Sequence, residues 1–175
     1  MDNLCDDLIK KTYSYSQNPD LRYVNEYFKS VLTDEEIVYS IEIKNKEEFL
    51  KLKDYVKKYK NFCRLSCYKL NLKSLNGCLS NLTYLNCSRN HLTSLPECLS
   101  NLTSLYCSDN NLTSLPECLS NLTYLNCSYN NLKNLPGNLS NLTYLNCSHN
   151  NLKNLPENLS NLTYLNCSSN NLTSL

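Results

Sequence analysis

A period of 20 residues governs this chain from residue 61 onward, and few folds can obey it. Blocks 81–100, 101–120, 121–140 and 141–160 align without a gap, and residues 161–175 add three quarters of another block. Block 61–80, "NFCRLSCYKLNLKSLNGCLS", keeps the same register through Leu65, Cys67, Leu72, Leu75, Cys78 and Leu79. The array therefore takes in 115 of 175 residues, as about six coils with the last incomplete. Self-similarity at such a period marks a repeat architecture in which each copy is one structural unit. A single copy cannot enclose its own leucines, so the copies must stack and share a continuous core.

Within block 81–100 the apolar positions are Leu82, Leu85, Cys87, Leu92, Leu95 and Leu99. The alternation Leu85–Asn86–Cys87 reads as a short strand with one buried face, and a 3.6-residue helical period fails throughout. Asn90 stands where the chain must turn away from the strand. Pro96 and the polar run after it are too short for a full helix and read as an extended or tight-turn return. Each coil is thus a strand, a turn and a return.

"LTYLNCSRNHL" fits the L-x-x-L-x-L-x-x-N/C-x-L segment of leucine-rich repeats, with Cys87 in the third apolar slot. The following "TSLPECLSN" resembles the short, 20-residue subclass with Leu-Pro on its return segment, best known from bacterial effector proteins. The Asn-, Lys- and Tyr-rich composition also resembles that of short repeat proteins from AT-rich genomes such as those of amoebal giant viruses. The resemblance implies an α/β solenoid: a curved parallel sheet on the concave face, extended or turn returns on the convex face, and an N-terminal helix-containing cap. It also implies that Asn90, Asn110, Asn130, Asn150 and Asn170 point inward and bond backbone groups of their own and neighbouring coils. The physics agrees, since buried turn amides need partners and one Asn offers both donors and an acceptor. Leu70 and Asn76 replace the Asn and the Pro in block 61–80, as expected of a degenerate first coil.

Eleven cysteines invite a metal or disulfide reading, but six of them (Cys67, Cys87, Cys107, Cys127, Cys147 and Cys167) fall on one column of the period. Zinc needs four ligands converging tetrahedrally, usually from close pairs. A row pointing one way offers no such convergence, and Cys63 and Cys67 lack a second pair at zinc-ribbon spacing. Free cysteine behaves as a small hydrophobe, so a ladder of structural thiols is expected, with no metal and no cofactor. A second column, Cys78, Cys98 and Cys118, gives way to Asn138 and Asn158 and reads as half-buried. Sequons such as those at Asn81 and Asn126 recur because Asn, Leu and Thr occupy fixed slots.

The formal net charge is +1. Residues 61–175 carry 6 Lys/Arg and 4 Asp/Glu, scattered among neutral side chains. Nucleic-acid binding needs a basic stripe, so no nucleic-acid partner is expected. No run of 18 apolar residues exists to span a membrane, and "MDNLCDDLIKK" places acids where a secretory signal needs positive charge. A cytoplasmic protein with reduced thiols is the expectation, of the host cell if the source is viral.

Function then falls to side chains that alternate with the buried ones and face the concave side. Numbering coil positions from residues 61, 81, 101 and onward, position 4 holds Arg64, Tyr84, Ser104, Tyr124, Tyr144 and Tyr164. Position 6 holds Ser66, Asn86, Tyr106, Asn126, Asn146 and Asn166. Position 9, at the strand's end, holds Lys69, Arg89, Asp109, Tyr129, His149 and Ser169 and differs in every copy. Tyrosine is enriched at binding hot spots and loses little rotamer entropy on docking. The candidate partner-binding residues are accordingly Arg64, Tyr84, Arg89, Tyr106, Asp109, Tyr124, Tyr129, Tyr144, His149 and Tyr164. The competing reading is a tyrosine ladder that stacks on itself and only stabilises the sheet. His149 has no nearby Cys or Asp pattern and reads as a solvated polar residue.

Residues 1–60 form a separate segment, expected to cover the apolar end of the stack. "DLRYVNEYFKSVL" (20–32) and "NKEEFLKLKDYVKKYK" (45–60) carry helical spacing, and "EIVYSIEI" (36–43) has strand character. Residues 4–32 resemble an F-box that lacks its usual initial Leu-Pro, which implies a substrate adaptor of a ubiquitin ligase as an alternative function. The chain stops at "NNLTSL" in mid-coil, leaving a sheet edge on which a second copy or a partner could pair. No catalytic constellation emerges: Cys5 has no His in its segment to activate it. The expectation is a non-enzymatic module that binds an unidentified protein partner through the concave face.

Overall fold

The computed structural model describes residues 39–43, 45, 62–75 and 79–173. They contain a single seven-stranded sheet in chain order: β1 (Tyr39–Glu42), β2 (Phe62–Ser66), β3 (Tyr84–Asn86), β4 (Ser104–Tyr106), β5 (Tyr124–Asn126), β6 (Tyr144–Asn146) and β7 (Tyr164–Asn166). Every neighbouring pair is parallel. From β2 onward the register advances by one period per strand, Leu65 facing Leu85, then Leu105, Leu125, Leu145 and Leu165. β1 falls within the segment of strand character at 36–43 and pairs Ile41 with Leu65 after a register shift at Tyr39/Ser40. The helices expected at 20–32 and 45–60, and the F-box-like stretch 4–32, lie outside the described residues.

The core is a set of parallel rows, one residue per coil. In coil 121–140, Leu122, Leu125, Cys127, Leu132 and Leu139 have no solvent exposure, and Leu135 has little. Burying a leucine contributes roughly 1.5–3 kcal/mol, and each of these is covered largely by the coils before and after. Polar rows run beside the apolar ones. Thr103, Thr123, Thr143 and Thr163 each donate through Oγ1 to the carbonyl of the preceding threonine at 2.9–3.1 Å. Asn101, Asn121, Asn141 and Asn161 each donate through Nδ2 to a serine carbonyl of the previous coil at 2.8–2.9 Å. The sequon column is therefore committed to joining coils. No helix among the described residues is long and apolar enough to cross a membrane.

Each strand of the regular coils spans only positions 4–6, so position 9 belongs to the turn beyond it rather than to the strand's end. Lys69, Arg89, Asp109, Tyr129, His149 and Ser169 all adopt left-handed backbone, with φ of 54–57°. That conformation lets the chain double back so that the next asparagine points into the coil. It costs an L-residue about 1–2 kcal/mol, repeated here in every coil.

Candidate interaction face

Three ladders run along the array, two inside and one on the concave face. The first is the asparagine column. Asn90 donates from Nδ2 to the carbonyls of Cys67 and Cys87, both at 2.9 Å, and accepts on Oδ1 from the backbone N–H groups of Leu70 and Leu72. Asn110, Asn130 and Asn150 repeat the arrangement, each joining a cysteine carbonyl of its own coil to one of the coil before. Asn170 does the same at the edge of the described sheet. Leu70, lacking such a side chain, instead receives its contact from Asn90.

The cysteine column lies alongside. Cys67, Cys87, Cys107, Cys127 and Cys147 are fully buried free thiols. Burial pushes Cys67 and Cys147 up to about 12, and holds Cys87, Cys107 and Cys127 well above the usual thiol range. Charge on a neighbouring thiol of the ladder would raise Cys107 further. A thiol that resists ionisation is a poor nucleophile and a poor metal ligand. Among the described residues no group of three His, Cys, Asp or Glu is placed to hold a metal ion. The second column is half-buried at Cys98 and Cys118, and Asn138 and Asn158 use Nδ2 to reach the carbonyls of Glu117 and Gly137.

The third ladder is aromatic. Tyr106–Tyr124, Tyr124–Tyr144 and Tyr144–Tyr164 stack at centroid distances of 4.6, 4.2 and 4.4 Å, the last two pairs nearly parallel. Tyr84 meets Tyr106 in a tilted contact at 5.5 Å, and the Arg64 guanidinium closes the row 4.2 Å over the Tyr84 ring. The row is continuous although coil 101–120 has serine at position 4. Tyr106, at position 6, leans across and fills the gap that Ser104 leaves. Burial, then hydrogen bonding to Tyr144, keeps the Tyr124 phenol protonated well beyond its ordinary range; burial raises Tyr84 as well. Those two phenols therefore stay neutral donors at physiological pH.

The position 9 side chains are exposed, and four of the six are matched in neighbouring pairs. Arg89 and Asp109 form an ion pair at 3.4 Å, the Arg89 guanidinium also lies 5.8 Å from the Tyr68 ring, and Tyr129 stacks on His149 at 4.2 Å. Such exposed pairs are individually worth little, yet they order a column that looks random by sequence. Tyr129 is 53% exposed. His149 was expected to be a solvated polar residue; it is exposed, with one ring face against Tyr129.

The ten candidate residues thus separate into two groups. Arg64, Tyr84, Tyr106, Tyr124, Tyr144 and Tyr164 form one unbroken stack, whereas Arg89, Asp109, Tyr129 and His149 form pairs on the turn. Position-by-position reading missed that Tyr106 belongs with the position 4 tyrosines. The signal was present, because the one regular coil that loses its position 4 tyrosine gains one at position 6.

The family model described as leucine-rich repeats in two copies matches residues 80–117, and that of the single leucine-rich repeat matches residues 121–142 and 141–162. No curated protein sequence matches the chain. Among solved structures, YopM from Yersinia enterocolitica is 30% identical with a TM-score of 0.67, over 90% of this chain and 35% of YopM. The functional domain of InlJ from Listeria monocytogenes, described as including a cysteine ladder, is 35% identical with a TM-score of 0.63, over 69% of this chain and 28% of InlJ. This chain therefore spans about a third of the length of those structures or less. Repeat period, parallel sheet, asparagine column and family match coincide on the same residues: the chain is a leucine-rich-repeat protein built from 20-residue coils.

Proposed function

We propose that the array is a non-catalytic module that binds a protein partner through its concave face. Solenoids of this kind expose an extended concave surface suited to recognition. The observation that carries the reading is the tyrosine stack. Five rings and a guanidinium are held in one row by contact with each other, and the phenol groups remain at the surface. Their rotamers are already fixed, so docking against them costs little further side-chain entropy. Self-stacking and binding are compatible, because stacking covers the ring faces and leaves edges and hydroxyls to a partner.

Affinity capture tests this with the full chain as bait, against Tyr124→Ala/Tyr144→Ala/Tyr164→Ala and a convex control, Lys133→Ala/Lys153→Ala. Circular dichroism would first establish that each variant keeps the native spectrum. Loss of a specific protein from the concave variant alone supports the reading. Equal recovery by all three baits would sink it.

A further inference from the structure

Coil 101–120 differs from its neighbours in a second way, which follows from the displacement of Tyr106. In four other coils the position 6 asparagine folds back on the serine two residues later. Asn86, Asn126, Asn146 and Asn166 each accept on Oδ1 from the backbone N–H of Ser88, Ser128, Ser148 and Ser168, all at 3.2 Å. In three of these the serine hydroxyl donates to the same oxygen at 2.8 Å. At Ser108 the corresponding acceptor is missing, because position 6 is Tyr106 and its ring has swung into the aromatic row. Among the described residues no group accepts from the Ser108 N–H or its hydroxyl. Ser88, Ser128 and Ser148 are buried, with 4–6% exposure, whereas Ser108 is only half-buried. A polar notch therefore opens in the concave face, with two donors directed at the place where other coils put an amide oxygen.

We propose that this notch recognises a side-chain carboxamide, an Asn or Gln of the partner, whose oxygen takes the position that Oδ1 occupies in the other coils. The inference rests on the concave-face reading and names the chemistry the face selects. The repeats supply the template, since the same two donors are seen holding a carboxamide oxygen in neighbouring coils. A carboxamide also brings N–H donors, which the phenol oxygens of the aromatic row can accept. A carboxylate fits less well, because it could accept from the Ser108 donors but brings no donor of its own. A partner side chain entering here satisfies two donors that are otherwise left to water, and lies against the tilted Tyr84–Tyr106 contact.

Isotope-labelled full-length protein allows a direct test by amide NMR with acetamide as the probe, and with N-methylacetamide and acetate as comparison arms. Acetamide should shift the Ser108 N–H resonance several-fold more than those of Ser88, Ser128 and Ser148, and more than either comparison compound does. Tyr106→Asn, and the double variant Ser104→Tyr/Tyr106→Asn that restores the common coil pattern, should abolish the difference. Equal shifts at all four serines, or a Ser108 response that survives in Tyr106→Asn, would overturn the site. An equal response to N-methylacetamide or acetate would overturn its assignment to a carboxamide. The titration is independent of the capture experiment, so either idea can fail while the other stands.

Discussion

Asn130 accepts the backbone N–H of Leu112 on its Oδ1 at 2.9 Å, across the joint between two coils. Its Nδ2 meanwhile donates to the carbonyls of Cys107 and Cys127 at 3.0 and 3.1 Å. Removing the side chain orphans the buried Leu112 N–H, at a cost of about 1–3 kcal/mol, whereas the Cys107 and Cys127 carbonyls keep the bonds they accept from Asn110 and Asn150. Asn130→Ala is therefore expected to destabilise the array by about 1–3 kcal/mol, read as a lower urea midpoint. Asn130→Asp should do no better, because it keeps the acceptor but loses both donors and buries a charge.

The cysteine ladder makes a prediction about alkaline pH. The folded thiols sit above their unfolded value of 9.0, Cys67 and Cys147 at about 12. The stabilisation is complete below pH 9 and is lost as pH rises toward the folded values, since the unfolded chain sheds those protons first. Tyr84 and Tyr124, also raised, act in the same direction at higher pH. Urea midpoints should hold steady to about pH 8 and then fall, by up to about 1.4 kcal/mol per pH unit for each such thiol. Midpoints that stay flat to pH 11 would contradict it.

Thiol accessibility gives a second readout of the same ladder. A disulfide reagent at pH 8 should modify the half-buried Cys118 in the folded protein while leaving the buried Cys87, Cys107 and Cys127 untouched. Mass spectrometry after brief labelling distinguishes them, and labelling in urea should reach them all.

Tyr124 contacts a ring on either side, at 4.6 and 4.2 Å. An aromatic pair contributes about 0.5–1.5 kcal/mol beyond its buried area, so Tyr124→Ala should cost about 2 kcal/mol. Tyr164→Ala, at the end of the described stack with one such contact, should cost about half as much. Equal losses from the two would mean that stacking is not what holds the row.

Lys69 occupies a left-handed turn, with φ of 56°, and its side chain is exposed. Lys69→Gly should raise stability by up to about 1 kcal/mol. Lys69→Val should lower it by a similar amount or more, because a β-branched residue tolerates that backbone poorly. Thermal unfolding of the two variants, compared with the parent, checks the sign.

Much of the array was legible at the level of residues because a solenoid reuses one solution. Leu85, Cys87 and Asn90 each recur at a fixed interval, and a residue of these columns buried in one coil is buried in all the interior ones. Even the half-buried slot at Cys98 and Cys118 could be read from its drift to Asn138 and Asn158. The concave face was legible only in part. Alternation along the strand places Tyr84 and Tyr106 in different columns, but a long side chain can lean sideways, and the interruption at Ser104 gives Tyr106 room to do so. Position 9 was placed at the strand's end because the sequence pattern carries no sign of a left-handed turn occupied by Arg, Tyr and His rather than Gly.

By itself, then, the sequence determined the coil, its period, its buried rows and the parallel sheet, because those follow from which residues can be hidden from water at a 20-residue repeat. Tertiary structure alone decided which exposed side chains touch. It joined Tyr106 to the position 4 tyrosines, paired Arg89 with Asp109 and Tyr129 with His149, and left Ser108 without its amide oxygen. Such contacts depend on side-chain direction and on what the adjacent coil leaves open, and neither is a property of any one repeat.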